Sequence, residues 1–252
     1  MIHDSGYQVA PVSGIDYRVS AMSLFFQPNI QSGSLFLDSE ESRHAVQVLR
    51  MHEGEEIEIT DGFGFFYSAK ISEANHKKCL FEILRKREVQ KKLFCIHLAI
   101  APTKNADRME WFVEKAVEIG IDHISFIRCQ NSERKNINIE RMEKIAVSAM
   151  KQSQQSWLPK ISPLAPFKEI VKEKADQKFI GFVDLKNPMH LKSEAKIKGD
   201  YLVLIGPEGD FSNEELALAL ESGFQKVSLG ANRLRTETAG ITACQILNLI
   251  NA

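Results

Sequence analysis

The spacing of apolar and polar positions changes character once along the chain. From Met22 to about residue 86, apolar residues come in short bursts. Leu24-Phe25-Phe26 and Leu35-Phe36-Leu37 read as short strands. Glu56-Ile57-Glu58-Ile59-Thr60 alternates with period two, the pattern of a half-buried strand. Asp61-Gly62 is a turn dipeptide, and residues 65–71 return as its hairpin partner. Residues 79–84 add a further strand, and residues 40–49 a short helix for which Ser39 is the available N-cap. Several short strands separated by turns predict a small barrel. The charged stretch 85–92 marks a boundary, and beyond it the pattern becomes α/β. Residues 94–101 are continuously apolar, as in a buried parallel strand. Residues 106–119 place Met109, Phe112, Val113, Ala116 and Val117 on one helical face, and Gly120 stops that helix. Strands follow at 124–127, 178–183, 201–205 and 226–229, with helices at 139–157, 213–222 and 238–250. Strands alternating with helices predict a parallel sheet. The sequence thus divides into residues 22–88 and 93–252. Residues 1–21 carry Gly6, Pro11 and Gly14 without periodicity and read as an extension outside the fold, with Met22 the natural start.

Composition adds little to this picture, whereas local charge adds more. The 252 residues are 44% hydrophobic and 26% charged, ordinary for a globular protein, and the net charge is −1. Residues 70–92 hold eight Lys or Arg against three Glu, and residues 128–160 hold seven against three. Two basic stretches of this kind can follow a phosphate backbone or simply be solvated faces. No apolar run approaches a membrane span. Cys79, Cys95, Cys129 and Cys244 form no Cys-x-x-Cys pair and no zinc spacing. They are expected as reduced thiols of a cytoplasmic protein, with no metal.

Candidate chemistry concentrates in two segments. Strand 202–205 runs into Gly206-Pro207-Glu208-Gly209, and a helix follows with Ser212 and Glu215 spaced as a capping box. Glycines at 206 and 209 let a backbone approach a ligand closely. Strand 227–229 similarly ends in Gly230 and leads through Ala231-Asn232-Arg233 to Leu234-Arg235-Thr236-Glu237-Thr238. Thr236 or Thr238 is a natural N-cap for the last helix. Two glycine loops at two strand ends can form the walls of one pocket. Arg235 and Glu237 then lie either at its mouth or in a structural ion pair.

Together the two segments resemble the RsmE-like branch of the SPOUT superfamily, the uridine-N(3) methyltransferases of small-subunit ribosomal RNA. The similarity continues upstream. It takes in Val113-Glu114-Lys115-Ala116-Val117-Glu118-Ile119-Gly120 and Ser132-Glu133-Arg134-Lys135. It also takes in Gln152-Ser153, and His44 with Val48-Leu49-Arg50, Gly54 and Asp61-Gly62. The sequence departs from the family at Asp210, where many members have a second glycine. It departs again at Asn232, where arginine is often found, and at Gln155, where some members have arginine.

The resemblance implies a trefoil-knotted α/β methyltransferase domain behind a PUA-like β-barrel, working as a cytoplasmic homodimer on 16S ribosomal RNA. It implies S-adenosylmethionine as cofactor, bound by Ile205, Gly206, Pro207, Glu208, Gly209, Leu229, Gly230, Leu234, Thr236 and Thr238. For catalysis it points to Arg235 first, Arg233 second, and Glu237 as a candidate base. For RNA it points to His44, Arg50, Arg134 and Lys135. Three other readings stay open: a SPOUT enzyme with another RNA target, a non-catalytic RNA-binding assembly factor, and a small-molecule enzyme with a nucleotide site.

Overall fold

The computed structural model describes residues 23–182 and 189–252. The expectations for residues 1–22 and for the end of the strand at Val183 lie outside the described residues. In the first sheet, β1 (Leu24–Phe26) runs parallel to β2 (Glu56–Thr60). β2 pairs antiparallel with β3 (Phe65–Glu73), and β3 with β4 (Leu80–Glu88). Two register shifts interrupt the β3–β4 ladder, and such bulges bend and twist a strand pair. Phe25, Ile57, Ile59, Tyr67, Ile71 and Phe81 form the core of this module. The Asp61-Gly62 turn is built around a buried carboxylate. Asp61 Oδ1 accepts from the Phe63 and Phe65 amides at 2.8 and 3.2 Å, and Oδ2 from the Tyr67 hydroxyl at 3.2 Å.

Several local expectations for this module change. Leu35-Phe36-Leu37 is no strand, since only Phe36 bridges to Leu80. The short helix α1 covers Ser39–Arg43 and continues as a π turn over His44–Val48. Its N-cap is Asp38 rather than Ser39, because the carboxylate accepts from two amides, those of Glu40 and Glu41. β4 runs through the charged stretch taken as a boundary. Its exposed edge carries Arg85, Lys86 and Arg87, and charge of this kind protects an edge from further pairing.

The second sheet is wholly parallel, in the order β10-β8-β9-β5-β6-β7. Its strands are β5 (Phe94–Ile100), β6 (His123–Arg128), β7 (Lys160–Pro166), β8 (Gln177–Gly181), β9 (Gly199–Ile205) and β10 (Gln225–Val227). Ile96, Leu98 and Ile100 face one layer, made by α2 (Ala106–Ile119), α3 (Ile139–Gln152) and α7 (Thr236–Ile250). Ala99 and Ala101 face the other, made by α4 (Phe167–Ile170) and α6 (Asn213–Glu221), while α5 (Leu191–Glu194) is a single turn. The apolar stripe of α2 is fully buried, and Gly120 ends it with φ +105°. α7 lies across α2 at Gly240, where an added Cβ would stand 2.5 Å from the Phe112 ring.

α3 stops at Gln152, five residues short of the predicted end. Gln154 takes φ +53° and turns the chain toward the first sheet. There the Gly64 amide donates to Ser156 O at 2.8 Å and the Leu158 amide to Gly62 O at 2.9 Å. A Cβ on Gly64 would lie 2.3 Å from the Trp157 ring. An ion pair between Glu41 and Lys151 closes the same seam. Gln155, at a position of departure from the resembled family, donates from Nε2 to Val117 O at 2.7 Å and so caps the end of α2.

Candidate active site

Open α/β sheets place ligands beyond the carboxyl ends of their strands. At that end β9 runs into the loop 206–209, β10 runs into 228–235, and β8 ends between them at Gly181. With the start of α7 these ends enclose a cleft of 730 Å³. Small-molecule sites commonly measure roughly 300–1,000 Å³. Ile205, Gly206, Pro207, Glu208, Leu229, Gly230, Leu234 and Thr236 line it, as do Arg233 and Arg235.

Hydrogen bonds tie the two walls together. Thr236 Oγ1 donates to Gly206 O at 3.0 Å, and the Arg233 guanidinium reaches Glu208 O at 3.5 Å. Within the second wall, Ser228 Oγ donates to Gly230 O at 2.9 Å. Gly206 is sterically required, because a Cβ there would sit 2.9 Å from the buried Phe211 ring. Asp210 has φ +63°, which explains why glycine suits this position elsewhere. Aspartate is among the few residues that tolerate the left-handed region. Its amide donates to Pro207 O at 2.9 Å and closes the loop.

Three predicted cofactor or catalytic residues fall outside the cleft lining. Gly209 packs against Asn131 instead, and Thr238 lies one turn into α7 with its carbonyl accepting from the Thr242 hydroxyl at 2.8 Å. Glu237 is 7% exposed and lies behind the wall. The helix begins at Thr236, so neither threonine is its N-cap; Arg235 holds that position without a side-chain cap. Nor do Arg235 and Glu237 pair with each other.

The partner of Glu237 is Arg108, which no motif or period in the sequence marks out. Arg108 stands in the first turn of α2 and lines the cleft. Its NH1 meets Glu208 Oε1 at 3.0 Å and its Nε lies 3.7 Å from Glu237 Oε1. One cation therefore ties the Gly-Pro-Glu-Gly loop to the last helix. Only the contiguity of two motifs with a distant helix could have revealed it, and periodicity carries no such signal.

None of the four residues assigned to RNA lines the cleft. His44 is exposed, its ring edge-on to Phe25 at 6.2 Å, and Arg50 is exposed with φ +57°. Arg134 is occupied structurally, donating to Thr103 O at 3.1 Å and Lys104 O at 2.8 Å. Lys135 is exposed beside a second cavity. Among the described residues no cluster of His, Cys, Asp and Glu is arranged to hold a metal.

The family model for an RNA methyltransferase domain matches residues 90–248, and that for an RNA methyltransferase PUA domain matches residues 37–84. The chain belongs to the RNA methyltransferase family. Ribosomal RNA small subunit methyltransferase E of Buchnera aphidicola is 30% identical, with 89% of this chain and 91% of that protein aligned. A crystal structure of a probable rRNA-methyltransferase from Porphyromonas gingivalis is 42% identical, with TM-score 0.85 over 91% of this chain and 98% of that one. The ribosomal RNA small subunit methyltransferase E of Neisseria gonorrhoeae, solved bound to S-adenosyl methionine, is 25% identical, with TM-score 0.79 over 91% and 98% of the two chains. Both modules of this methyltransferase thus match family models of RNA methyltransferases.

Proposed function

We propose that the protein methylates N(3) of a uridine in 16S ribosomal RNA, using S-adenosylmethionine. The observation that carries this reading is the cleft between the two glycine loops. The backbone of residues 229–235 is irregular, so its N–H and C=O groups need partners that a ladder does not supply. A nucleoside-like cofactor fits such a site, because backbone groups can meet its base and ribose while Ile205, Leu229 and Leu234 cover apolar faces. When bound, S-adenosylmethionine supplies an activated methyl group on a sulfonium.

The rest of the chemistry falls to this chain. The imide proton of uridine N(3) must leave before or during attack, and the anion so formed needs a cation. Arg235 lines the cleft, is exposed and has no carboxylate partner among the described residues, so it takes that role, with Arg233 second. Glu237, buried against Arg108, is assigned to hold the loop rather than to take the proton. Because N(3) lies on the Watson–Crick edge, the target base enters unpaired or flipped. The PUA module at residues 22–88, with His44 and Arg50, holds surrounding RNA.

The same reading makes the enzyme a cytoplasmic homodimer. In support, Trp111 on α2 and Leu249 on α7 are large apolar residues left 45% and 62% exposed. It also makes residues 93–252 a trefoil knot, supported by the packing of α7 against β5, β9 and α2. The test pairs calorimetric titration of S-adenosylmethionine with single-turnover transfer to small subunits lacking the modification. Arg235→Ala is expected to keep cofactor affinity and lose transfer. Normal transfer by this variant refutes the catalytic assignment, and an absence of cofactor binding by the wild type refutes the function.

A further inference from the structure

A second cavity, of 490 Å³, opens at the same end of the parallel sheet, beyond β6 and β7. Phe167, Pro166 and Leu218 give it apolar walls, and Phe167 is braced by Phe211 with ring centroids 5.6 Å apart. Arg128, Lys135 and Lys168 surround its mouth. All three are exposed, and none forms an ion pair among the described residues. Two carboxylates share the rim. Glu215 is committed internally, accepting from the Gln130 and Ser212 amides at 2.8 and 3.0 Å. Glu214 is exposed on the first turn of α6 and offsets one cation.

The loops that line this cavity and the cleft touch each other. Asn131 Nδ2 donates to Gly209 O at 3.2 Å and to Asp210 O at 3.0 Å. A Cβ on Gly209 would meet Asn131 Cβ at 3.2 Å, so the glycine is what allows the two loops to touch. The loop that closes the cofactor cleft is therefore buttressed by the loop that forms the second cavity.

We infer that this cavity is a subsite for the RNA strand, taking a nucleotide beside the target uridine. The inference rests on the proposed function and extends it. Its base lies against Pro166 and Leu218, with the buried Phe167 packed behind them, and the adjoining phosphates lie on Arg128, Lys135 and Lys168. Single strands are held in positively charged grooves that track their phosphates. A small free anion has no use for the apolar walls, and an apolar peptide has none for the three cations. A target base held out of its helix also requires the strand on one side of it to be anchored.

The test measures the binding of a fluorescein-labelled oligouridylate as a function of salt, together with KM and kcat on small subunits. Lys135→Gln and Lys168→Gln are each expected to reduce the log–log salt slope by about 0.7, the single-strand value per phosphate contact. Leu218→Trp, which fills the cavity, is expected to weaken binding and raise KM several-fold with little change in slope or kcat. All three retain wild-type affinity for S-adenosylmethionine, which also reports that they fold. Lys196→Gln, beside the amino end of β8, leaves every reading unchanged. Wild-type slope and KM in the three cavity variants overturn the inference. So does normal oligouridylate binding with a raised KM on assembled subunits, which puts a ribosomal protein in the cavity. A wild type that shows the Lys135 and Lys168 dependence but transfers no methyl group breaks the proposed function and leaves the subsite standing.

Discussion

Replacing Arg108 by methionine removes the cation between Glu208 and Glu237 while keeping most of the side-chain volume. The Glu237 carboxylate is then left 7% exposed with no countercharge, and its Oε2 already has no hydrogen-bond partner among the described residues. Breaking a fully buried pair costs about 3–5 kcal/mol, because one charge stays desolvated. Here the Arg108 side chain is 34% exposed and the closer contact, to Glu208, is on the wet side, so the expected loss is about 2 kcal/mol. For a chain of this size that lowers Tm by roughly 4–8 °C. Loosening the Glu208 loop is also expected to weaken S-adenosylmethionine binding by about tenfold, equivalent to about 1.4 kcal/mol. The measurement is urea unfolding of Arg108→Met, Glu237→Gln and the double variant, with cofactor titration of each. Neutralising both partners removes the stranded charge, so the double variant should recover about 1–2 kcal/mol relative to additivity. Wild-type stability in Arg108→Met, or strict additivity in the cycle, refutes the argument.

Gly240→Ala forces a Cβ toward Phe112 and Ile100, both fully buried, so it should destabilise by about 1–3 kcal/mol despite alanine's better helix propensity; denaturant unfolding checks this, with Phe112→Leu as the relieving partner. Gly206→Ala pushes the cleft loop off Phe211 and should weaken cofactor binding more than it lowers stability, as titration and unfolding of one sample would show. Burial first, then His123 and Lys160, pushes His97 down to about 3, while burial and Lys160 push His123 down to about 4; the Glu173 carboxylate 3.5 Å from His97 does not outweigh these effects. An unfolded histidine titrates near 6.5, so the folded state refuses protons that the unfolded state accepts, and stability is full above about pH 6.5 and falls toward pH 4 by up to about 1.4 kcal/mol per pH unit per histidine. His97→Gln should flatten that slope between pH 6.5 and 5, and an unchanged slope in urea unfolding would contradict the account.

What was legible in the sequence was what a period or a cap encodes locally. The α2 stripe, its Gly120 stop and the Ser212–Glu215 capping box stand where the pattern placed them. The misses are tertiary. α3 ends early because the chain turns at Gln154, so that Ser156 and Leu158 can meet Gly64 and Gly62 of the distant first sheet. β7, with the pattern Lys160-Ile161-Ser162-Pro163-Leu164-Ala165-Pro166, carries two prolines and no clean alternation; it is tolerated as an edge strand that, among the described residues, pairs with β6 alone. In the site, the glycine loops showed themselves through their residue types. Arg108 did not, since a lone arginine in an exposed helix turn looks like any other until α2 is set beside the loop it clamps.

The proposed function turns on the base and atom that receive the methyl group. The most direct test is transfer from labelled S-adenosylmethionine to small ribosomal subunits lacking the modification, followed by mass spectrometry of the digested nucleosides. Label is expected in 3-methyluridine, and none when Arg235 is alanine. Label on a ribose or on another base would contradict it.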